Sequence, residues 1–278
     1  MNHPDLHGIF PAIVTPHQAR DNDNGALDEA RLRELIQRLL PDVDGFVVNG
    51  TSGDFPLLSR EERRRALEIT AEEIAGAGKL LIAGTGAVAT RDVIALTQDA
   101  LVVGADVALV VTPYYLRPTP AGLYRHFDDL AAAVPEMPIL LYNFPQLAGQ
   151  ALPVETVAAL RADNPSIVGM KDTSGDLSYF LSVMEQTDDD IQMLIGRGKL
   201  VLPAMAMGAI GAVLAAANLI PDRYQALRAA IERGERATAR QLQSQIEPVA
   251  QVISRYGSLG VRVGLELQGF PVGAPRRP

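Results

Sequence analysis

The stretch KLLIAGTGAVATRDVIALTQDALVVGADVALVV, residues 79–111, decides the fold class. It begins and ends with short, continuous apolar runs, 79–84 and 106–111, which are typical of strands buried on both faces of a sheet. Between them, 89–104 predicts a helix that ends on Gly104, a common helix stop. The stretch therefore predicts a strand, a helix and a second, parallel strand.

The same alternation extends in both directions along the chain. Amphipathic segments that predict helices include 27–40 and 59–76, and the second opens with a capping box formed by Ser59 and Glu62. An unbroken series of eight such alternations favours an α/β fold in which a closed (β/α)8 barrel forms rather than an open sheet. The other predicted strands lie at 9–14, 44–49, 138–142, 166–171, 191–195 and 210–214.

The region after the eighth predicted strand has a different pattern, because 222–268 is helical in character throughout. We therefore predict a barrel domain at 1–221 and a C-terminal helical extension packed on it at 222–278. The polar stretch RDNDNG, 20–25, predicts a surface loop.

Composition excludes several classes of function. The 278 residues carry a net charge of −8, so a polyanion such as nucleic acid would be repelled on average. The absence of cysteine excludes disulfides, thiolate metal sites and cysteine nucleophiles, and it fits a reducing compartment. The four histidines form no H-E-x-x-H zinc motif, and we predict no metal site.

One uncharged stretch has the length of a membrane span. Residues 201–220, VLPAMAMGAIGAVLAAANLI, include Pro203, Asn218 and two glycines, so a buried helix, a turn and a buried strand explain them better. The first ten residues show no signal-peptide pattern. We therefore expect a cytoplasmic protein without a membrane segment.

Chemistry in a (β/α)8 barrel belongs at the carboxyl ends of the strands. Hydroxyls, glycines, tyrosines and one lysine collect at these predicted ends, without a carboxylate pair or a metal-binding cluster. The ends are Thr15 and Pro16, NGTSGD (49–54), GTGA (84–87), TPYY (112–115), YNFP (142–145), Lys171, GRG (196–198) and the region after Val213.

The lysine in this set is unusual for the chain, since only three of the 25 basic residues are lysines. Lys171 follows the apolar run IVGM, whereas Lys79 lies at the opposite rim and Lys199 at a predicted, solvated helix start. Arginine stays protonated, but a lysine amine that loses its proton can attack a carbonyl and form a Schiff base. The alternative is a lysine that extends from a strand end into solvent.

Schiff-base chemistry also needs a proton carrier and a group that holds the substrate. Tyr142 ends the strand next to Lys171, so its phenol could relay protons. The turn GTSG, 50–53, offers backbone N–H groups and two hydroxyls that can hold a carboxylate. The alternatives are an ordinary strand-end tyrosine and a plain turn.

Four motifs together resemble a known family. GTSGD (50–54), PYYLRP (113–118), YNFP (142–145) and GMKDTSGD (169–176) have the order and spacing of the dihydrodipicolinate synthase / N-acetylneuraminate lyase family of pyruvate-dependent class I aldolases. The resemblance runs from about residue 8 to beyond 220, and the C-terminal residues are similar as well. It implies a TIM barrel, a lysine Schiff base with pyruvate, no cofactor, and a homotetramer built as a dimer of dimers.

The resemblance also implies catalytic roles by motif position. Lys171 would form the Schiff base and Tyr142 would be the proton relay. Tyr115 resembles a tyrosine that the family lends across a dimer interface to the neighbouring site. There it would complete a hydroxyl relay with Tyr142 through Thr51.

Further positions are implied to bind substrate. Thr51 and Ser52, in the turn that begins at Gly50, would bind the carboxylate of pyruvate. The backbone of Val213 would face pyruvate, and Gly196 would shape the pocket of the second substrate.

Substrate choice rests on the departures from the family pattern. The synthases carry an arginine after YN-x-P that clamps the carboxylate of aspartate semialdehyde, and Leu147 takes that place here. YNFPQLAG is more similar to the 2-keto-3-deoxy sugar-acid aldolases. Arg197 stands where the synthases usually have an acid, and we hypothesise that it or Gln146 contacts the polyol or distal carboxylate. Asp54 replaces the usual glutamate, with an expected structural role.

The predicted function is therefore a lyase that cleaves, or forms, the C3–C4 bond of a 2-oxo acid such as a 2-keto-3-deoxy sugar acid, giving pyruvate and an aldehyde. The alternatives are a 4-hydroxy-tetrahydrodipicolinate (dihydrodipicolinate) synthase, a 4-hydroxy-2-oxoglutarate-type aldolase or hydratase-aldolase, and a barrel that only binds a ligand. GTGAVA, 84–89, also fits a dinucleotide motif, but Asp106 begins its strand and so lies at the wrong edge for an NAD-dependent oxidoreductase.

Overall fold

The computed structural model describes residues 3–18 and 25–277. Strands and helices alternate along the described chain. The strands are β1 (Gly8–Pro11), β2 (Gly45–Val48), β3 (Leu80–Gly84), β4 (Val107–Val111), β5 (Ile139–Asn143), β6 (Ile167–Asp172), β7 (Gln192–Ile195) and β8 (Gly211–Leu214). The helices are α1 (Glu29–Leu39), α2 (Arg60–Ile74), α3 (Thr90–Val103), α4 (Pro120–Ala133), α5 (Pro145–Ala148), α6 (Val154–Asp163), α7 (Leu177–Gln186), α8 (Val201–Ala206), α9 (Pro221–Glu232) and α10 (Arg236–Leu267).

The strands form one parallel sheet that curves into a barrel. Its order is β1-β8-β7-β6-β5-β4-β3-β2, with every neighbouring pair in that order parallel. The barrel closes between β1 and β2 through a parallel bridge from Ala12 to Val47, and the Ile13 N–H donates to the Val47 carbonyl over 3.0 Å. The predicted (β/α)8 barrel is confirmed.

The first strand is shorter than predicted, since β1 ends at Pro11 rather than at residue 14. The Ala12 N–H still donates to the Leu214 carbonyl of β8 over 3.1 Å, but the ladder ends there. The Asn218 amide donates to the Ala12 carbonyl, and its oxygen accepts from the Val14 N–H. A side chain beyond β8 thus takes over the next two backbone groups, which a strand pattern does not reveal.

Local sequence signals set the helix ends. Ser59 and Glu62 form the predicted reciprocal capping box at the start of α2, and Asp28 caps α1. Gly104 ends α3 in the left-handed conformation, with φ of 89°. The uncharged segment 201–220 forms α8, a turn and β8, as predicted.

Alternation along each strand divides the apolar side chains into two layers. One layer packs between the sheet and the surrounding helices. The other fills the barrel interior, and every strand contributes to it. The interior set includes Phe10, Val47, Ile82, Leu109, Leu140, Val168, Leu194 and Val213.

The C-terminal region is helical, as predicted. Helix α9 packs on β1 and α8, and the long helix α10 packs on α9 and on the turn at residues 51–53. Gly257 interrupts α10 with a φ of 57° and a ψ of −137°, a conformation that glycine adopts most readily. The domain boundary after residue 221 stays a prediction, and residues 20–24 of the predicted surface loop lie outside the described residues.

No helix among residues 3–18 and 25–277 combines the length and the apolar character that crossing a membrane requires.

The chain end is fixed to the loop after β1. The Arg276 guanidinium donates to Glu62, the capping residue of α2, and to the Leu57 and Gly25 carbonyls. The His17 N–H donates to the Val272 carbonyl over 3.1 Å. The imidazole of His17 is buried, and neither ring nitrogen has a hydrogen-bond partner among the described residues.

Burial lowers the pKa of His17 to about 4, and Arg262 and Arg276 add to the effect, while Asp54 and Glu62 oppose it. The folded protein thus holds this ring neutral, whereas an unfolded histidine protonates near pH 6.5.

We therefore predict that the contribution of His17 to the free energy of unfolding is fully present above about pH 6.5 and is lost as the pH falls towards 4. The His17 share of the loss between pH 7 and 5 is about 1–2 kcal/mol. Urea unfolding at several pH values measures it. His17→Gln should flatten the dependence by that amount, while the control His7→Gln, at an exposed position, should not. Equal slopes for the two variants would contradict the assignment.

Candidate active site

A cavity of about 320 Å³ opens at the carboxyl ends of the strands. Strand ends of β5, β6 and β8, the turn after β2, the loop after β7 and helix α10 all contribute to it. Most of the predicted site residues line this cavity. They are Thr51, Ser52, Tyr142, Lys171, Gly196, Arg197 and Val213.

Lys171 and Tyr142 lie side by side because β5 and β6 pair in parallel with these two residues in register. The Lys171 Nζ is 3.9 Å from the centroid of the Tyr142 ring. Both residues are buried, each 4% exposed. The phenolic oxygen of Tyr142 is 3.4 Å from the Thr51 Oγ1, so the turn after β2 reaches the same group. An amine, a phenol and a hydroxyl therefore meet at the cavity floor.

A buried polar network holds the ends of β5 and β6 in this register. The Asn143 amide donates to the Asp172 carboxylate over 2.8 Å, and its oxygen accepts from the Leu152 N–H. The hydroxyl and N–H of Ser174 donate to the same carboxylate. Burial raises the pKa of Asp172, while its hydrogen bonds partly offset the rise. Asn143 directly follows Tyr142 and Asp172 directly follows Lys171, so both face the opposite side of the sheet from the amine and the phenol.

The turn after β2 presents backbone donors to the cavity. Residues Thr51–Gly53 form one turn of 3-10 helix, closed by the Gly53 N–H donating to the Gly50 carbonyl. The N–H groups of Thr51 and Ser52, at the start of the turn, have no acceptor within it. The Thr15 hydroxyl donates to the Gly53 carbonyl over 2.8 Å and so fixes the turn to the loop after β1. The arrangement suits a small anion.

Helix α10 anchors the far end of this turn through Asp54. Asp54 adopts the left-handed conformation, with φ of 55°. Its carboxylate accepts from the Ser258 hydroxyl over 2.8 Å and from the Arg262 guanidinium over 3.0 Å. Arg262 is 3% exposed and also donates to the Thr15 carbonyl, so both loops that shape the cavity floor share one buried cation.

Three predicted residues do not line this cavity. Gly50 closes the turn, since its carbonyl accepts from the Gly53 N–H. Gln146 is exposed, and its amide donates to the Ser174 carbonyl. Tyr115 points outward with 93% of its surface exposed and a φ of 71°. Its exposure leaves the dimer-interface role a prediction.

Gly196 and Arg197 form the wall after β7. A Cβ at Gly196 would lie 1.9 Å from the Thr173 Oγ1, so a larger residue there would displace the Thr173 side chain. The Nε of Arg197 donates to the Thr173 carbonyl over 2.8 Å, and its guanidinium carbon lies 5.5 Å from the centroid of the Phe144 ring.

The structure adds site residues that the sequence analysis missed. Thr173 is 5% exposed, lines the cavity, and its hydroxyl has no hydrogen-bond partner among the described residues. The period of a strand could have identified it, because residues two apart face the same side. Ser254, Arg255 and Ser258 reach the cavity from α10, some 80 residues along the chain from Lys171, and no local pattern indicates that placement.

The opposite edge of the barrel carries structural groups. The Lys79 Nζ donates to the Val43 carbonyl over 2.6 Å, in line with its predicted place at the rim opposite Lys171. The Asp106 carboxylate accepts from the Leu81 N–H, which lies at the amino ends of β3 and β4. Asp106 is therefore far from the strand ends where a dinucleotide ribose would need an acid.

The fold and the cavity define a barrel enzyme whose site combines a buried lysine with a phenol and an anion-holding turn. The model of the dihydrodipicolinate synthetase family matches residues 5–278. The chain belongs to this family, whose members are pyruvate-dependent class I aldolases and lyases that act on pyruvate and an aldehyde. The predicted family and enzyme class are thereby confirmed.

The similarity to known relatives extends over almost the whole chain. The chain is 38% identical over 275 residues to a 4-hydroxy-tetrahydrodipicolinate synthase of Methanopyrus kandleri, covering 98% of this chain and 90% of that one. It is similar in structure to the dihydrodipicolinate synthase of Aquifex aeolicus, with a TM-score of 0.93 and 31% identity over 98% of this chain and 92% of the other. A prophage protein of E. coli K12 from the same family, solved in complex with pyruvate, gives a TM-score of 0.90 at 29% identity, covering 98% and 92%.

We predict that Asp54→Asn lowers the free energy of unfolding by about 3 kcal/mol, because Arg262 would remain buried without its carboxylate. Asparagine tolerates the left-handed backbone, so the substitution tests the charge rather than strain. Urea denaturation measures the loss. The matched control, Ser258→Ala, removes one neutral donor to the same carboxylate and should cost about 1 kcal/mol. Equal losses in the two variants would show that the ion pair is unimportant.

Proposed function

We propose that this protein forms or breaks the C3–C4 bond of a 2-oxo acid through a Schiff base on Lys171. One observation carries the proposal: a buried amine sits at the cavity floor with its Nζ 3.9 Å from the Tyr142 ring centroid. Among the described residues of this chain, Lys171 is the one lysine that lines the cavity.

The reaction proceeds in balanced steps. The neutral Lys171 amine adds to the keto carbon at C2, and the carbinolamine takes up a proton and loses water to give a protonated imine. In the cleavage direction the C4 hydroxyl loses its proton, the C3–C4 bond breaks, and the electron pair moves into the imine to give an enamine. The aldehyde departs, the enamine takes a proton at C3, and water releases pyruvate and the free amine. The synthetic direction reverses these steps.

Tyr142 supplies and removes protons in this scheme. Its oxygen lies 3.4 Å from the Thr51 Oγ1, which provides the next member of a hydroxyl relay. We propose Tyr115 of a neighbouring subunit as the relay's outer member, because in its own chain this residue is 93% exposed. The site would then be complete in a homo-oligomer, and a homotetramer is the proposed assembly.

The carboxylate of pyruvate fits the turn after β2. The N–H groups and hydroxyls of Thr51 and Ser52 would bind it, with Gly50 closing the turn behind them. Val213, near the end of β8, would face pyruvate with its backbone, and Gly196 would border the second substrate. The proposed scheme uses no metal and no organic cofactor.

Two aldehydes are candidates. Eight curated relatives, 35–38% identical, carry the name 4-hydroxy-tetrahydrodipicolinate synthase, which supports aspartate semialdehyde better than the sugar-acid substrate that the motifs favour. We therefore propose the synthase reaction as the first candidate. A 2-keto-3-deoxy sugar acid is the second, because Leu147 at the cavity mouth is an alkyl group that cannot clamp a carboxylate.

The Schiff base is tested directly by borohydride reduction in the presence of pyruvate. We predict a reduced pyruvate adduct on the peptide that contains Lys171, seen by mass spectrometry, and none in Lys171→Arg, since arginine cannot act as the nucleophile. Turnover of Lys171→Arg should fall by about 10³-fold or more. Lys199→Arg, at an exposed position outside the cavity, is the matched control and should keep the adduct. An adduct on another lysine would refute the proposal.

The aldehyde is tested by steady-state kinetics with pyruvate and a panel that includes aspartate semialdehyde and glyceraldehyde. As a synthase, the protein should use aspartate semialdehyde with the higher kcat/KM. We predict that Leu147→Arg raises that preference about tenfold or more by supplying a bidentate clamp, and that Leu147→Lys raises it less. A higher kcat/KM for glyceraldehyde in the wild type would select the sugar-acid reaction instead.

A further inference from the structure

The buried phenol of Tyr142 has little hydrogen bonding to fix its orientation. Tyr142 is 4% exposed, and among residues 3–18 and 25–277 its hydroxyl has one hydrogen-bond partner, the Thr51 Oγ1. The two oxygens are 3.4 Å apart, which is longer than the usual separation of about 2.7–2.8 Å between bonded hydroxyls. The direction of the ring therefore depends on the side chains that pack against it.

A second aromatic ring packs against Tyr142 at the cavity. Phe144 follows two residues later, just beyond the end of β5, and its ring is stacked on that of Tyr142. The ring centroids are 5.8 Å apart and the ring planes differ by 30°, within the range of offset stacking. The Lys171 Nζ lies 3.9 Å from the centroid of the same phenol ring. Tyr142 therefore contacts both the amine and the ring of Phe144.

Arg197 supports the ring of Phe144 in turn. Its guanidinium carbon is 5.5 Å from the Phe144 centroid, and its Nε donates to the Thr173 carbonyl over 2.8 Å. Thr173 directly follows β6, the strand that carries Lys171. The contacts thus form a closed circuit from Lys171 through Tyr142, Phe144 and Arg197 back to the end of β6. A substitution at Phe144 opens this circuit without removing a reacting group.

The backbone of Phe144 is fixed independently of its ring. Phe144 joins β5 to the short helix α5, and its carbonyl accepts from the N–H groups of Leu147 and Ala148. Pro145 occupies the first position of α5, where a helix has no use for the missing N–H. The half-buried ring therefore projects into the cavity lining from a defined junction, which a change of side chain leaves in place.

We propose that Phe144 is a positioning residue for the proton relay: its ring, held by Arg197, orients the Tyr142 phenol beside the Lys171 amine. This inference rests on the proposed function, in which Tyr142 moves the protons. When pyruvate is bound without an aldehyde, a C3 proton of the imine passes to the relay and the electron pair of that C–H bond forms the enamine. The relay then returns a proton to C3. Phe144 sets the rate of these transfers through the phenol.

Exchange of the C3 hydrogens of pyruvate with D2O, followed by proton NMR, tests the inference without any aldehyde. We expect Phe144→Leu, which keeps an apolar group but removes the stacked ring, to slow the exchange about tenfold. Phe144→Tyr keeps a ring and should stay within about threefold of the wild type. Phe270→Leu is the matched control and should leave the rate unchanged. Phe270 is also a half-buried ring beside arginines, Arg31 and Arg38, but it lies outside the cavity lining.

A double-mutant cycle with Tyr142→Phe shows whether Phe144 acts through the phenol. Tyr142→Phe alone should slow the exchange about 10²-fold or more, and a higher enzyme concentration keeps the residual rate measurable. In that background Phe144→Leu should cost less than about a further twofold, because no phenol is left to misplace. A further tenfold loss would show a general structural role and overturn the inference.

Arg197→Met gives an independent measure, because it leaves the Phe144 ring in place and removes its outer support. We expect the exchange to slow about threefold, again only while the phenol is present. A wild-type rate in this variant overturns the role of Arg197. Urea unfolding is measured on every variant, and if Phe144→Leu does not fold, Arg197→Met completes the cycle with Tyr142→Phe.

The outcomes separate this inference from the proposed function. Borohydride trapping of pyruvate on the wild type comes first, and the absence of an adduct refutes the Schiff base itself. With the adduct present, a wild-type exchange rate in Tyr142→Phe removes the phenol from the relay and the inference with it. A wild-type rate in Phe144→Leu leaves the Schiff base and the relay intact and overturns the positioning role alone.

Discussion

The pairing of β5 with β6 is the constraint on which the site depends. It sets Tyr142 against Lys171 on the cavity side and Asn143 against Asp172 on the helix side. The second pair fixes the first, because Asp172 is fully buried and its carboxylate is satisfied only while Asn143 and Ser174 keep their places. A shift of the ladder by one residue would exchange the faces, burying the lysine among the helices and turning the acid into the cavity.

A second constraint comes from the C-terminal helix. Arg262 is buried and donates to Asp54 and to the Thr15 carbonyl, so α10 ties together the loop after β1 and the turn after β2. The same helix supplies Ser258 to Asp54 and Arg255 to the cavity wall. A region that looks like an appendage to the barrel in sequence is therefore part of the site. The helix is kinked at Gly257, and the residues on both sides of the kink, Arg255 and Ser258, line the cavity.

The periodicity and the motifs of the sequence predicted the barrel and the residues at the ends of its strands. Eight apolar runs with helices between them determine the barrel, and the strand ends gather Lys171, Tyr142, Thr51 and Ser52 in one place, because parallel strands share a carboxyl edge. Contacts between segments that are distant in the chain could not be predicted in this way. Arg255 and Ser254 reach the cavity only because α10 folds back over the barrel, and Asn218 bonds to the backbone of Ala12 and Val14. Thr173 was accessible in principle, two residues beyond the lysine on the same face.

The separation of charges within β6 explains how an amine and an acid can be adjacent in sequence without neutralising each other. Lys171 and Asp172 point to opposite faces of the sheet. The Asp172 carboxylate therefore accepts hydrogen bonds from Asn143 and Ser174 rather than from the lysine. A carboxylate on the cavity side would instead compete with the carboxylate of a 2-oxo acid for the cations that line the cavity. The alternation of side chains along β6 therefore keeps the acid away from the surface on which the substrate would bind.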